Sequence, residues 1–318
     1  MPDVASIYPL IRRLWLDGFR EFELYGLGGS RLLRVPLLLD TLVDRHKGRR
    51  CFVAGNGPSL NDIDMSALKD DVVLGSNQVY LGYETWGFHF PYWGVYDDYQ
   101  IQTYGAEYEQ RVPNECTQFF PFPYLPLIGF ENGCPVNTVF PKEAARQFSD
   151  APDRVFRGFT VTYMLLQIAA IMGCDPIILI GVDHRYNLQK RYITSKTLRS
   201  MRRAMVRRMR GGRIYEAAFA ASQAWKRHGQ QRPGQVKLWE ADHAAGPTHF
   251  TARYTESGRR RFLPPEPEEA ERDFACAAQW AQAHGRSILN ATPGSALEAF
   301  PKVDFNKVIR AVHRANDQ

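Results

Sequence analysis

Five short stretches combine residue types that could do chemistry. Gly55-Asn56-Gly57-Pro58-Ser59-Leu60 directly follows the apolar run Cys51–Ala54. A glycine-rich turn in that place lets backbone approach a phosphate, and the start of the next helix favours negative charge. No Gly-Lys-Ser/Thr follows, so the turn is not a Walker A loop. The third glycine of a dinucleotide fingerprint is missing, and Asn77 stands where an acidic ribose ligand is expected. A bare tight turn fits the same residues. Gly75-Ser-Asn77-Gln78 ends a second apolar run. Its two neutral amides could hydrogen-bond a sugar or a base without adding charge. Tyr96-Asp97-Asp98 ends a third. Adjacent carboxylates there can hold a magnesium ion or cap the next helix.

Gly181-Val-Asp183-His184-Arg185-Tyr186 ends a fourth run, and Tyr192 lies six residues beyond Tyr186. Tyrosine hydroxyls can donate to a phosphate without the solvation cost of a buried cation. Thr248-His249-Phe250 is the fifth stretch. Imidazole is the usual general base near neutral pH, although a lone loop histidine can equally be structural. His243 is its rival for that role.

Four of these stretches follow apolar runs, so the chain must supply strands that end at one edge. Val72–Leu74 and Tyr92–Tyr96 read as short strands beside Cys51–Ala54, and Ile177–Val182 reads as a central parallel strand, apolar on both faces. Val161–Met172 reads as a helix with Met164, Leu165, Ile168 and Met172 on one face, ended by Gly173. Glu266–His284 reads as a long helix, followed by a strand at Ser287–Leu289. The alternation predicts an α/β, Rossmann-like domain, with a mainly parallel sheet flanked by helices. Residues 1–47 read as an N-terminal helical extension, 48–310 as the nucleotide-binding domain, and 184–247 as a lid inserted in it. The Pro- and aromatic-rich stretch Phe119–Pro141 reads as an irregular loop.

At 318 residues the chain allows one large domain or two small ones. Hydrophobic residues at 44% and charged residues at 23% exclude a disordered chain. No apolar run approaches the roughly 20 residues that span a bilayer. Arginines interrupt the only apolar stretch near Met1, unlike a secretory signal peptide. Five scattered cysteines with no CxxC pair argue against a disulfide framework or a zinc ribbon, and so for a reduced, cytoplasmic protein. Eleven of the 40 Lys and Arg fall between His184 and Tyr215, a stretch without Asp or Glu. Within it Leu198, Met201, Met205 and Met209 share one helical face. Such a basic amphipathic helix, over 195–213, suits an anionic membrane surface, a lid drawn to phosphates, or plain solvent. Nucleic acid is not expected, because no aromatics interleave the arginines and no binding motif accompanies them.

Together GNGPSL, SNQVY, the turn before FTVTYM, ILIGVDHRY, the late His-Phe and Asn290–Gly294 resemble two related groups. One is the bacterial sialyltransferases of glycosyltransferase family 42. The other is the MptE-like (6-hydroxymethylpterin pyrophosphokinase-like) domain family, to which the Maf flagellin glycosylation proteins are related. The resemblance covers about Lys47 to Phe305 and is nearer to the second group. It implies nucleotide contacts at Gly55, Asn56, Gly57, Ser59, Asn77 and Gln78, and a donor contact at Thr160. It also implies a binding role for Asp183, phosphate contacts at Tyr186 and Tyr192, and His249 as general base. The implied reaction transfers an acidic sugar from a CMP-sugar to a glycan, glycoprotein or lipid-linked acceptor. It needs no cofactor and takes place in the cytoplasm or at the inner membrane face, with a homo-oligomer as one possible assembly. Asp97-Asp98 replaces the asparagine of the sialyltransferases. That departure keeps open a diphosphate transfer from ATP with Mg²⁺ held by Asp97, Asp98 and Asp183. A non-catalytic nucleotide-binding or membrane-scaffold protein is a third reading.

Overall fold

The computed structural model describes residues 7–26, 29–125, 128–139, 146–186, 188–193, 236–241, 247–254 and 266–316. The chain opens with helix α1 (Tyr8–Leu16) and an antiparallel hairpin, β1 (Glu21–Gly26) and β2 (Gly29–Arg34). Then come β3 (Cys51–Ala54), β4 (Val72–Ser76), α2 (Tyr83–Trp86), β5 (Tyr92–Gly94), α3 (Asp98–Arg111), β6 (Thr117–Pro121) and β7 (Gly133–Val136). A two-residue pair, β8 (Thr138–Val139) and β9 (Val155–Phe156), precedes α4 (Val161–Ile171) and β10 (Ile177–Ile180). A second antiparallel hairpin, β11 (Leu188–Ile193) and β12 (Val236–Ala241), lies in the expected lid insertion. Helix α5 (Pro267–Ala283), β13 (Ile288–Asn290) and α6 (Phe305–Asn316) close the chain.

Seven strands form one parallel sheet in the order β13-β10-β3-β4-β5-β6-β7. β3 and β10 read CFVA and IILI and are buried at every position, as strands covered on both faces must be. Alternate residues face opposite sides. Phe52, Ala54, Ile178 and Ile180 join the core that contains Tyr8, Ile11 and Trp15 of α1. Cys51, Val53, Ile177 and Leu179 join the core built with α4 and α5. The predicted α/β, Rossmann-like architecture is what the chain adopts. Helix α4 is buried from Thr162 to Ile171, because the sheet covers one side and Ala270, Phe274 and Ala277 of α5 pack in the same core. Gly173 ends it in a left-handed conformation at φ +77.

Two expectations change. The N-terminal segment holds the expected helix but also a hairpin. It covers one sheet face, with Trp15 donating through Nε1 to Val35 O at 2.8 Å and Arg12 paired with Asp40. Phe119–Pro141 is not an irregular loop, since β6, β7 and β8 all fall partly or wholly within it. Its prolines hid them. Pro135 lies in β7, an edge strand of the sheet, where a missing N–H is tolerated.

The sheet order sets the site. After β7 the chain crosses back to place β10 beside β3, so the connections from these neighbours leave in opposite directions. Ligands of open α/β sheets bind at this switch point, outside the strand C-termini. The approach to α4 is fixed by Gln167, which is fully buried. Its Oε1 accepts from Ser149 N and Phe156 N, and its Nε2 donates to Phe156 O. Gln167→Leu would leave these groups unpaired at about 1–3 kcal/mol each. We expect a drop of several kcal/mol in urea unfolding with unchanged far-UV circular dichroism.

Candidate active site

The ends of β3 and β10 are pressed together. Gly55 N donates to Ile180 O and Gly57 N to Gly181 O, each at 2.8 Å. A Cβ on Gly55 would lie 2.3 Å from Gly181 O, and one on Gly57 would lie 1.7 Å from Asp183 Oδ2. The glycines of the first motif therefore serve backbone-to-backbone approach, and the Gly57 amide is committed inside the protein rather than to a phosphate. Ser59 acts in the same contact. Its hydroxyl donates to Asp183 Oδ2 at 2.6 Å and its N–H to Oδ1 at 3.3 Å. Burial pushes the Asp183 carboxyl up, and these two hydrogen bonds partly offset the shift. From the other side, Thr292 Oγ1 accepts from Val182 N at 3.1 Å, Ser295 Oγ donates to Val182 O at 2.6 Å, and Ala296 N donates to Asp183 O at 2.9 Å. The Asn290–Gly294 stretch thus helps to clamp this turn.

A cleft of about 150 Å³ opens above the clamp. Gly55, Asn56, Gly57, Asn77, Thr160, Asp183, Tyr186 and His249 line it. Gln78 and Ser59 do not. Gln78 is fully buried beneath, and Ser59 holds Asp183. Tyr192 lies in β11, opposite Lys237 in register, and its side chain lies outside the described residues. So do His243 and the basic segment 195–213.

Each lining group is placed by its element. Asn56 Nδ2 donates to Ser76 O and to Ser76 Oγ, both at 3.0 Å. Asn77 sits at φ +49, and its N–H donates to Gly94 O at 3.0 Å. Left-handed backbone is less costly for asparagine than for most residues. The Oδ1 atoms of Asn56 and Asn77 are buried and accept no hydrogen bond from the described residues. Each such orphan costs about 1–3 kcal/mol until a donor reaches it. Thr160 caps α4, accepting from Thr162 N at 3.2 Å. Its O–H remains available to donate, at the helix end that favours anions.

His249 is attached to the glycine-rich turn. Phe250 N donates to Asn56 O at 3.0 Å and Asn61 Nδ2 to Phe250 O at 2.8 Å. Its ring stacks on the buried Tyr254, centroids 3.7 Å apart and 9° from parallel. Thr248 Oγ1 lies 2.9 Å from Nδ1. Burial pushes the imidazole down to about 3, so it is neutral at ordinary pH. A neutral imidazole has one nitrogen that donates and one that accepts.

The carboxylate pair of the third motif lies elsewhere. Asp97 caps α3, accepting from Gln100 N at 2.9 Å. Asp98 lies 3.5 Å from the Arg157 guanidinium, which also donates to Tyr96 OH at 2.8 Å. Helix capping is the alternative that the structure supports. Among the described residues no group of three or more His, Cys, Asp or Glu is placed to hold a metal.

Thr248, Tyr254, Phe274 and His184 also line the cleft, and sequence reasoning gave none of them a site role. His184 stood in a quoted motif, and its left-handed φ of +56 is strain of about 1–3 kcal/mol that a sequence does not display. Its partner Glu271, 3.2 Å away on α5, is 87 residues distant in the chain and had no sequence signal.

No protein-family model matches the chain, and no curated protein matches it. Among solved structures, the chain is similar to a MAf glycosyltransferase from Magnetospirillum magneticum AMB-1, with 12% identity and a TM-score of 0.48. The match covers 98% of this chain and 40% of that one, so the chain spans well under half of its length. No helix among the described residues is long and apolar enough to cross a membrane.

The His249 shift sets a pH dependence. Between about pH 3 and 6.5 the unfolded chain binds a proton at this residue that the native chain does not. Its contribution to stability is complete above the ordinary histidine range and is lost as pH falls through it, by at most about 1.4 kcal/mol per unit. Raised carboxyls such as Asp183 act in the opposite sense, so the difference between proteins is the useful quantity. Chemical denaturation from pH 7 to 4 should show a shallower loss in His249→Gln than in wild type.

Proposed function

We propose that the chain is a glycosyltransferase that moves an acidic sugar from a CMP-sugar to a hydroxyl of a glycan, glycoprotein or lipid-linked acceptor. The observation that carries this reading is the pair of orphaned amide oxygens, Asn56 Oδ1 and Asn77 Oδ1, buried in a cleft at the switch point. They require neutral N–H or O–H donors, which a nucleobase amine and a sugar hydroxyl supply. Phosphate and base recognition then divide by chemistry. The α4 N-terminus, the Thr160 hydroxyl and Tyr186 face the charged phosphate, and the asparagines face neutral groups.

The reaction breaks the bond from the anomeric carbon to the phosphate oxygen, whose electron pair leaves with CMP. His249 Nε2 takes the proton of the acceptor hydroxyl as the new carbon–oxygen bond forms. Tyr254 and Thr248 hold that ring on both its face and its edge, and this lowers the cost of orienting it at the moment of reaction. Tyr186, 47% exposed beside the cleft, can turn its hydroxyl toward the departing phosphate. Tyr192 and the basic segment 195–213 complete the reading as a second phosphate contact and as a lid or a surface for anionic membranes. ATP-dependent diphosphate transfer is less well supported, since Asp97 and Asp98 are engaged in a cap and an ion pair.

Two experiments test the reading. CMP at 100 times its dissociation constant should stabilise the protein by about 2.7 kcal/mol in a thermal-shift assay, with or without Mg²⁺. Stabilisation by ATP with Mg²⁺ and not by CMP would replace it with the kinase reading. Against a panel of CMP-sugars, His249→Ala should lower turnover about 100-fold or more with CMP binding nearly unchanged. Tyr186→Phe should weaken the phosphate contact by about 1.5–3 kcal/mol. Full turnover in His249→Ala would show that His249 is not the base and pass that role to His243; a wild type that turns over none of the CMP-sugars would leave the non-catalytic, nucleotide-binding alternative.

A further inference from the structure

His184, like Asp183 and Arg185, is an ionisable residue of the cleft to which the reaction above gives no task. Its side chain is only 8% exposed, and Nε2 lies 3.2 Å from Glu271 Oε2. The other carboxylate oxygen, Glu271 Oε1, accepts from Glu298 N at 3.1 Å. One carboxylate oxygen is thereby fixed, and the other lies at ion-pair distance from the imidazole. The ring also meets Phe274 and Tyr186 edge-on, with centroids 6.3 and 6.2 Å away. Its left-handed backbone is held by the clamp on Val182 and Asp183. A histidine held in that backbone, lining a cleft and with a carboxylate 3.2 Å from one nitrogen, is placed as a working group would be.

The two nitrogens are not equivalent. Nε2 serves Glu271, so Nδ1 is the atom left for a ligand. An N–H on both nitrogens is the imidazolium form, and the Glu271 carboxylate at 3.2 Å is a neighbouring opposite charge for it. The charged groups packed around it are Glu271 from α5 and, on its own turn, Asp183 and the exposed Arg185. A phosphate at the adjacent Tyr186 would lie near this ring.

We propose that His184, oriented by Glu271, is a second catalytic residue, whose Nδ1–H donates to the phosphoryl oxygen of the nucleotide leaving group. This rests on the nucleotide-sugar reading and assigns the second proton of that reaction. The anomeric carbon–oxygen bond breaks, its electron pair goes to the phosphate oxygen, and that oxygen takes the Nδ1 hydrogen. The acceptor oxygen forms the new bond and its proton goes to His249 Nε2. One imidazole ends with a proton more and the other with a proton less, and exchange with solvent restores both. Glu271 is a positioning residue.

Isothermal titration of the full chain with CMP and with cytidine tests this, because the two ligands differ only in the phosphate. Wild type should bind CMP more tightly than cytidine. In His184→Asn, a substitution that tolerates the left-handed backbone, CMP should weaken by about tenfold or more while cytidine is unchanged. Glu271→Gln should weaken CMP in the same sense, by less. Unchanged CMP affinity in His184→Asn, or equal losses of CMP and cytidine, would overturn the role of His184 and leave the nucleotide reading standing. A wild-type protein that does not prefer CMP to cytidine would sink both. If His184→Asn fails to fold, imidazole nitrogen NMR of wild type decides the matter. The resonance that Glu271→Gln perturbs should shift with CMP and not with cytidine, and a resonance that stays still refutes the contact.

Discussion

The site depends on one turn, Gly181–His184, and on the contacts that hold it. The glycine-rich turn after β3 presses on it so closely that a methyl group on Gly55 or Gly57 would overlap it. Ser59 holds the Asp183 side chain from that side, while Thr292, Ser295 and Ala296 hold the backbone of Val182 and Asp183 from the other. Two segments far apart in the chain, 55–59 and 292–296, thus converge on four residues. Each hydrogen bond contributes only about 1 kcal/mol net. Their joint effect is to sustain a strained, left-handed His184 and to close the floor of the cleft.

Two histidines in this cleft lie in different environments. His249 lies against the tyrosine ring of Tyr254 with a hydroxyl at Nδ1, and burial keeps it neutral. His184 lies against a carboxylate that is itself hydrogen-bonded to backbone. An apolar stack suits a lone pair that accepts a proton, whereas a carboxylate suits an N–H that donates one. The separation arises from packing partners contributed by the 248–254 segment and α5. No property of the histidines themselves distinguishes them.

The N-terminal segment is part of the same argument. A parallel sheet exposes two apolar faces, and α4 with α5 covers only one of them. Tyr8, Ile11 and Trp15 help to cover the other, so this segment is a layer of the core rather than an appendage. The far end of the fold is fastened differently. Arg50 makes a two-pronged pair with Asp71 at 2.7 Å and donates to Val308 O, which ties the start of β3 to α6.

Much of the architecture was legible in local sequence. The runs CFVA, VVLGS and IILI are apolar on both faces, and no other secondary structure buries such short runs as economically as a central parallel strand. Gly173 marked the C-terminal end of α4 because capping is a local interaction, whereas the cap that Thr160 makes at the other end was seen only in the structure. Asn56, Asn77 and Tyr186 stood out because each follows an apolar strand run, while Thr160 was drawn from the family resemblance and His249 from its residue type on a loop. The edge strand β7 was not legible, because proline suppresses a strand signal that only sheet position makes tolerable. Nor was the fate of Gln78, which shares the end of β4 with Asn77 but is buried. Side-chain direction at a turn depends on backbone dihedrals that neighbouring strands impose. The His184–Glu271 pair was least legible, because its members meet only after a crossover brings α5 over the sheet. Sequence determined which residues could do chemistry, through type and local spacing, and tertiary structure alone decided which share a cleft and which groups pack against each.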